Sequence, residues 1–291
     1  MTKKILITGA SGAFGSMFVT DLLAAGHTVA AAMRDAEGRN HQASEALIAK
    51  GAIVVNIDVT DETNVNQGVA EAIAALGGLD VLINNAGGGA HGLLEAFTPD
   101  QLLRLYDINV VGNHRMMRAV LPRMRAQESG LILNISSLLG RLSLPFYGAY
   151  SATKFAVETL TETARVELSR YSVDVALIEP GGFPTSFATN VQTPADQERL
   201  SQYGDFATVP PMALEGFQQA MAATPSQDPQ RVSDAVVRVV NTPAGERSFR
   251  TIVDFMGMGE QVEVMNAALQ TVIEELYTTN GIAGMLTLNS Q

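Results

Sequence analysis

Cysteine is absent from this 291-residue chain, which excludes disulfides, thiolate nucleophiles and cysteine-bound zinc together. A chain without cysteine suits a reducing compartment, so a cytoplasmic location is expected. Long apolar runs are missing too, and no stretch approaches the roughly 18 uninterrupted apolar residues that a membrane span needs. Only three apolar residues, Ile5, Leu6 and Ile7, follow Lys3 and Lys4 before a threonine and a glycine, too few for the apolar stretch of a signal peptide. They read as a first strand. Positive charge is scarce: 19 lysines and arginines against 30 aspartates and glutamates leave a formal net charge of −11. Such a surface repels nucleic acid and anionic lipid, so neither is expected as a partner. The four histidines, His27, His41, His91 and His114, show no ligand spacing, and no metal is expected. Only His91, after the glycines at 87–89, is placed where it would touch a substrate. No internal repeat is visible.

What the chain has is enough apolar content, 46%, with only 17% charged residues, to bury one sizeable core. A single domain over residues 1–291 is the expectation. Strand-like apolar runs recur at residues 5–8, 29–33, 53–58, 81–84, 131–136 and 173–179, each bounded by glycine or polar turn residues, with a seventh at 250–254. Helical patterns fill the gaps, among them 17–25, 101–127, 149–169 and 231–240. Strands alternating with helices and written as near-continuous apolar runs imply a parallel sheet covered on both faces, hence a doubly wound α/β fold. After Glu179 the alternation stops, and residues 183–228, rich in Pro, Gln, Met and Phe, are expected to form a mobile lid. Residues 255–291 make a C-terminal extension with one amphipathic helix, 261–277.

Two constellations carry chemistry. Strand one runs into Thr8-Gly9-Ala10-Ser11-Gly12-Ala13-Phe14-Gly15 and then a helix. Backbone N–H groups at a helix N-terminus bind phosphate, and glycines let a pyrophosphate approach the chain. Tyr150 and Lys154 stand four apart in a helical pattern, so both project from one face and an ammonium sits beside a phenol. A free tyrosine titrates near about 10, and bringing it toward 7 asks roughly 4 kcal/mol of its surroundings. Lys154 is an obvious supplier.

These residues resemble the short-chain dehydrogenase/reductase family, over about residues 3–185. The family's compact branch writes its turn TGxxxGxG, and this chain puts Ala13 at the middle glycine; the spacing present, TGxxGxxG, is that of the extended branch. Asn84-Asn85-Ala86-Gly87 matches the compact branch's NNAG. The resemblance implies a Rossmann domain binding a nicotinamide dinucleotide through Gly9, Ser11, Gly12, Ala13, Phe14 and Gly15. It implies further cofactor contacts from Asp58 and Val59 at the adenine, from Asn85, Ala86 and Gly87, and from Pro180, Gly181 and Thr185 beside the nicotinamide. Ser137 matches the serine that holds the substrate oxygen, with Ser136 as its neighbouring rival, and Asn109 matches the asparagine that holds a water in the proton relay with Lys154. Tyr150 would be the general acid, its pKa lowered by Lys154 and by the oxidised nicotinamide, both cationic, with Lys154 also on the ribose. At the end of strand two the family's NAD-binding aspartate is replaced by Met33. Arg34 follows where NADP-dependent members place a guanidinium, so NADP(H) is expected over NAD(H); Asp35 and Glu37 keep NAD(H) open. Long helices paired across subunits, here 101–127 and 149–169, imply a homodimer ahead of a homotetramer.

The expected activity is reduction of an apolar ketone, or oxidation of the matching secondary alcohol. The segments placed to wall the substrate site carry Leu138, Leu139, Leu142, Leu144, Phe146 and Tyr147, and in the lid Phe187, Phe206, Met212, Leu214 and Phe217. Such walls offer no partner to a buried anion, and Arg141 is the one cation within them. Three alternatives stay open: reduction of ketoacyl thioesters on an acyl carrier protein, for which Arg123, Arg125 and Arg170 would offer a landing patch; a nucleotide sensor without catalysis; and an extended-branch epimerase or dehydratase. The arginine face at 115, 118, 123 and 125 otherwise reads as solvated or subunit-facing.

Overall fold

In the computed structural model, which describes residues 2–288 without the side chains of residues 188 and 189, seven parallel strands form one sheet. The chain runs β1 (Lys4–Thr8), α1 (Ala13–Ala24), β2 (Thr28–Met33), α2 (His41–Ile48), β3 (Ile53–Asn56), α3 (Glu62–Leu76), β4 (Val81–Asn84), α4 (Pro99–Tyr106), α5 (Gly112–Ala126), β5 (Gly130–Ile135), α6 (Gly148–Leu168) and β6 (Val173–Pro180). Then come α7 (Ser186–Thr189), α8 (Gln197–Gln202), α9 (Val209–Ala222), α10 (Gln230–Asn241), β7 (Arg250–Val253) and α11 (Met258–Thr279). The strand order β3-β2-β1-β4-β5-β6-β7 reverses at β1, which pairs with β2 on one side and β4 on the other. This is the doubly wound Rossmann arrangement, with its crevice at the carboxyl ends of β1 and β4. The last three residues of the expected extension, 289–291, lie outside the described residues.

Alternation along the strands builds two cores. Ile5 and Ile7 face one side of the sheet, packing with Phe18, Val19 and Leu22 of α1 and Val232, Val236 and Val239 of α10. Leu6 faces the other, with Val65 and Val69 of α3 and Met116, Val120 and Met124 of α5. All six side chains of β4 and β1 between these layers, Ile5, Leu6, Ile7, Val81, Leu82 and Ile83, are buried, as a parallel sheet covered on both faces requires.

Three elements depart from their sequence reading. The segment 183–228 is not an irregular loop but carries α7, α8, a 3₁₀ turn at Gly204–Thr208 and α9. Prolines at the start of α9, Pro210 and Pro211, lie in its first turn, where a missing N–H costs nothing. The single helix expected over 101–127 begins at Pro99 and is interrupted by a π-helical turn, Asp107–Val111, between α4 and α5. Arg115 ties that turn down: its guanidinium donates to Asp107 Oδ1 at 2.8 Å and to the Val59 carbonyl at 3.0 Å, so it is a structural staple and not part of a solvated face. Third, β3 ends at Asn56, and Ile57 and Asp58 already belong to the following loop. Among the described residues no helix is long and apolar enough to cross a membrane.

Candidate active site

The turn after β1 is shaped by backbone crowding. Gly9 takes φ +66°, and a Cβ there would lie 2.8 Å from Ala86 Cα. At Gly15 a Cβ would lie 2.8 Å from Ala10 Cα and closer still to the Gly9 carbonyl oxygen, so the first turn of α1 packs directly on the loop. Gly12, the N-cap of α1, is less confined: its nearest neighbour, Gly9 O, is 3.4 Å away. Ala13 opens the helix without conflict, which is how the chain does without the compact branch's middle glycine. Asn85 holds the turn from across the crevice. Its Nδ2 donates to Thr8 O at 3.0 Å and Gly9 O at 3.2 Å, while the backbone N–H groups of Asn85 and Ala86 both donate to Thr8 Oγ1 at 3.0 Å. At about 1 kcal/mol net for each such bond, these four contacts fix the crevice rim firmly.

A cleft of about 530 Å³ runs from this turn across the sheet. It is lined by Gly9, Ser11, Gly12, Ala13, Phe14 and Gly15; by Arg34, Asp58 and Val59; by Asn85, Ala86 and Gly87; by Ser137, Tyr150 and Lys154; and by Pro180, Gly181 and Thr185. Asn109 stands behind the lining, buried, where Gly88 N donates to its Oδ1 at 2.8 Å and its Nδ2 donates to Gly88 O and Thr153 Oγ1, both at 2.9 Å. Its amide is thus committed to protein partners and fastens the π-helical turn to the Gly87–Gly88 loop. The cradle suits a dinucleotide: the start of α1 lines the cleft, and glycines at 9 and 15, where a side chain would strike backbone, let the turn fold this tightly against it.

On the opposite wall, α6 presents Tyr150 and Lys154, each 8% exposed. Lys154 Nζ donates to Ile135 O at 2.8 Å at the end of β5 and lies 5.7 Å from the centre of the Tyr150 ring. Burial lowers the lysine's pKa to about 8, with the Glu158 carboxylate pulling the other way. Burial also pushes the Tyr150 phenol well above its ordinary value of 10.0; the Ser137 hydroxyl opposes this and Tyr147 adds to it. In the chain by itself burial dominates and Lys154 does not bring the phenol down, so the expected lowering would have to draw on the bound oxidised nicotinamide as well. Tyr150 is held as a neutral acid. Ser137 Oγ accepts from Leu139 N at 3.1 Å and donates to Pro180 O at 3.4 Å, which links the loop after β5 to the end of β6.

Nearer the adenine end, burial raises the Asp58 carboxyl, but hydrogen bonds from Thr60 N and Oγ1 and the charges of Arg34 and Arg39 outweigh it and hold it below the carboxylate range. Arg34 is exposed at the cleft edge. Asp35 turns away: its Oδ2 accepts from Arg39 N at 3.0 Å, and neither Asp35 nor Glu37 lines the cleft.

Other placements differ from expectation. His91 is buried, packs edge-on against Tyr147 with ring centres 4.5 Å apart, and does not line the cleft. Leu142, Phe146, Phe206 and Met212 are not in the lining either, whereas Leu138, Leu139, Leu144, Tyr147, Phe187, Leu214 and Phe217 are. Arg141 points elsewhere, its Nε donating to Asn266 Oδ1 at 2.7 Å. Met258, from the first turn of α11, reaches the cleft without any signal in the local sequence to announce it.

A parallel sheet with a dinucleotide cradle on one wall and a buried Ser-Tyr-Lys group on the other defines a nicotinamide-dependent oxidoreductase. The short chain dehydrogenase family model matches residues 3–196, and the chain belongs to that family. A 3-ketodihydrosphingosine reductase from Bacteroides thetaiotaomicron is 41% identical over 186 residues, 64% of this chain and 66% of that protein. The crystal structure of a short-chain dehydrogenase from Streptomyces avermitilis is similar at a TM-score of 0.75 and 30% identity, covering 97% of this chain and 98% of that one. A short chain dehydrogenase/reductase from Burkholderia phymatum in complex with NAD is similar at a TM-score of 0.74 and 25% identity, covering 93% and 95%. The protein is an NAD(P)-dependent oxidoreductase acting on a small-molecule substrate.

Proposed function

We propose that the protein is an NADPH-dependent reductase of apolar ketones, with Ser137, Tyr150 and Lys154 as its catalytic residues and Asn109 positioning the wall behind them. The observation that carries the reading is the convergence of a neutral, buried Tyr150, the Ser137 hydroxyl and the Lys154 ammonium on one wall of the cleft. The cleft would hold a nicotinamide, whose chemistry would be hydride exchange with the substrate carbon. Ser137 Oγ and Tyr150 Oη hold the carbonyl oxygen, and Tyr150, protonated because it is buried, gives that oxygen its proton. Lys154, anchored on Ile135 O, places a positive charge beside the phenolate left behind and favours its formation.

An apolar substrate is supported by the side chains around Tyr150: Leu138, Leu139, Leu144, Phe187, Leu214 and Phe217 face the cleft, and Phe187 lies 5.7 Å, centre to centre, from the Tyr150 ring. The removal of Arg141 to Asn266 takes away the cation that would have held a carboxylate. The Bacteroides relative, a 3-ketodihydrosphingosine reductase, supports a ketone substrate. The exposed Arg34 guanidinium, with Asp35 turned away, supports NADPH.

The test is a panel of neutral alkyl and aryl ketones, including 3-ketodihydrosphingosine, against keto acids of matched size, read by nicotinamide absorbance with each cofactor. Neutral ketones with NADPH are expected to give the higher kcat/KM, and Arg34→Ala to erase about ten- to a hundredfold of the preference for NADPH. Tyr150→Phe is expected to lose at least about a hundredfold in kcat while binding NADPH within a few-fold. Preference for the acids, or full activity in Tyr150→Phe, would overturn the reading.

A further inference from the structure

Next to Lys154 the fold buries charged groups that hydride and proton transfer do not use. Glu158 lies one helical turn beyond Lys154 on α6, 1% exposed, and Glu179, 0% exposed, is the next-to-last residue of β6, before Pro180. Arg250 of β7 reaches both: its Nε is 3.1 Å from Glu158 Oε2 and 3.2 Å from Glu179 Oε1, and its other arm is 2.6 Å from Glu162 Oε1. From α11, Asn266 Nδ2 donates to Glu179 Oε2 at 2.7 Å while its Oδ1 accepts from Arg141. Glu158 Oε1 and the neighbouring Ser136 Oγ are buried without a hydrogen-bond partner among the described residues. Gly140 lets these groups close on one another, since a Cβ there would lie 2.8 Å from Ser136 Oγ, 2.9 Å from Glu158 Cγ and 3.2 Å from Lys154 O.

As an anchor for β7 this arrangement has one carboxylate too many. Arg250 hydrogen-bonds Glu158 and Glu162 and has Glu179 Oε1 only at ion-pair distance, so three carboxylates share one guanidinium, and a buried acid in excess is costly unless its charge is used. Among the described residues the buried Lys154 has no ion pair, its Nζ given to the Ile135 carbonyl, and residues at i and i+4 share a helix face. We propose that Glu158 is a positioning residue for the reaction: its buried carboxylate keeps the Lys154 ammonium charged in the cleft wall, and Arg250 holds that carboxylate in place. The proposal rests on the catalytic role given above to Lys154. The ionisable groups facing Glu158 are Lys154 on its own helix, Arg250 on β7, Glu179 on β6 and Arg141 after β5. Burial raises the Glu158 carboxyl, and Arg250 and Arg141 work against that rise by favouring its ionised form; Glu179 is raised in turn by burial and by Glu158. The direction on Lys154 is set by sign alone: burial disfavours its charge, and a nearby anion restores it.

The scarcity of lysine makes a direct test practical. With lysines only at positions 3, 4, 50 and 154, protein labelled with ¹³C at lysine Cε gives four resonances, and Lys154→Met identifies the one of interest. In Glu158→Gln the Lys154 midpoint is expected to fall by about one pH unit, and the alkaline limb of kcat/KM for ketone reduction to move with it. Glu158→Asp, which keeps the charge, is expected to restore most of both. Should the amide be poorly accommodated, Glu158→Met removes the same charge at similar volume and leaves Arg250 its other two partners. An unmoved Lys154 midpoint in the folded variants overturns the proposal, as does an aspartate variant that behaves like the glutamine one. A moved midpoint in a protein that reduces no ketone would uphold the electrostatic role and sink the proposed function instead.

Discussion

Lys154 shows how a single side chain trades stability for chemistry. Its pKa is about 8 in the folded protein against 10.5 when unfolded, lowered by burial. Between those values the unfolded chain holds a proton that the folded chain has lost, so this group makes stability rise with pH across the window. Below about pH 8 the full cost of burying the charge is present. Comparing wild type with Lys154→Met in urea at pH 7 and pH 10.5, the wild type is expected to gain on the variant by up to about 3 kcal/mol as pH rises. A pH-independent difference would place the lysine in a far wetter site than the structure gives it. The same titration bears on activity: kcat/KM for reduction is expected to fall above about pH 8, where the ammonium is lost. Tyr150, pushed up by burial, stays protonated through that range and does not produce the limb.

At the scale of elements, the glycine turn and α1 are joined by two glycines that do different work. Gly15 packs on the backbone of Gly9 and Ala10, and backbone atoms cannot step aside as a side chain tip does. Gly12 has only one neighbour, at ordinary contact distance. Gly15→Ala is therefore expected to abolish NADPH binding and cost about 1–3 kcal/mol of stability, as overpacked sites do. Gly12→Ala should keep binding within a few-fold, since α1 has no side-chain cap to lose. Calorimetric titration of both variants decides, and equal losses would mean that the turn is not the cradle. The segment 183–228 teaches the same lesson in reverse. Its prolines and polar residues suggest a loop, yet Phe217 and Met221 of α9 pack over Gly182, and tertiary contact organises α9 where local pattern does not.

For the molecule as a whole, a homodimer is the expected assembly. Leu103 and Tyr106 on α4, Val111 in the π-helical turn and Phe155 on α6 are 68%, 36%, 39% and 41% exposed, an apolar set on the helices expected to pair between subunits. Stable interfaces bury roughly 1,200–2,000 Å² and place such side chains at their centre. Light scattering is expected to give twice the mass of the chain, and Phe155→Glu to give a monomer. A monomeric wild type would refute the assignment. A tetramer would point to a second face, for which α11 offers exposed Val264, Val272 and Leu276 one or two turns apart.

The strands were legible in the sequence because a parallel sheet buried on both faces writes continuous apolar runs, and β1, β2, β4, β5 and β6 fall within a residue or two of where those runs lie. The Gly9–Gly15 turn and the Tyr150–Lys154 pair were legible for a related reason: each is a local pattern whose spacing alone brings its groups to one side of one element. What only the tertiary structure decided involves partners far apart in the chain. The π-helical turn at Asp107–Val111 depends on Asn109 bonding Gly88 and Thr153, 21 and 44 residues away. Asn266 reaches Glu179 across 87 residues, and Arg250 reaches Glu158 across 92. Burial raised the Tyr150 phenol when its lysine neighbour alone suggested the opposite, because desolvation is set by everything packed around a group and sequence spacing reports only one neighbour.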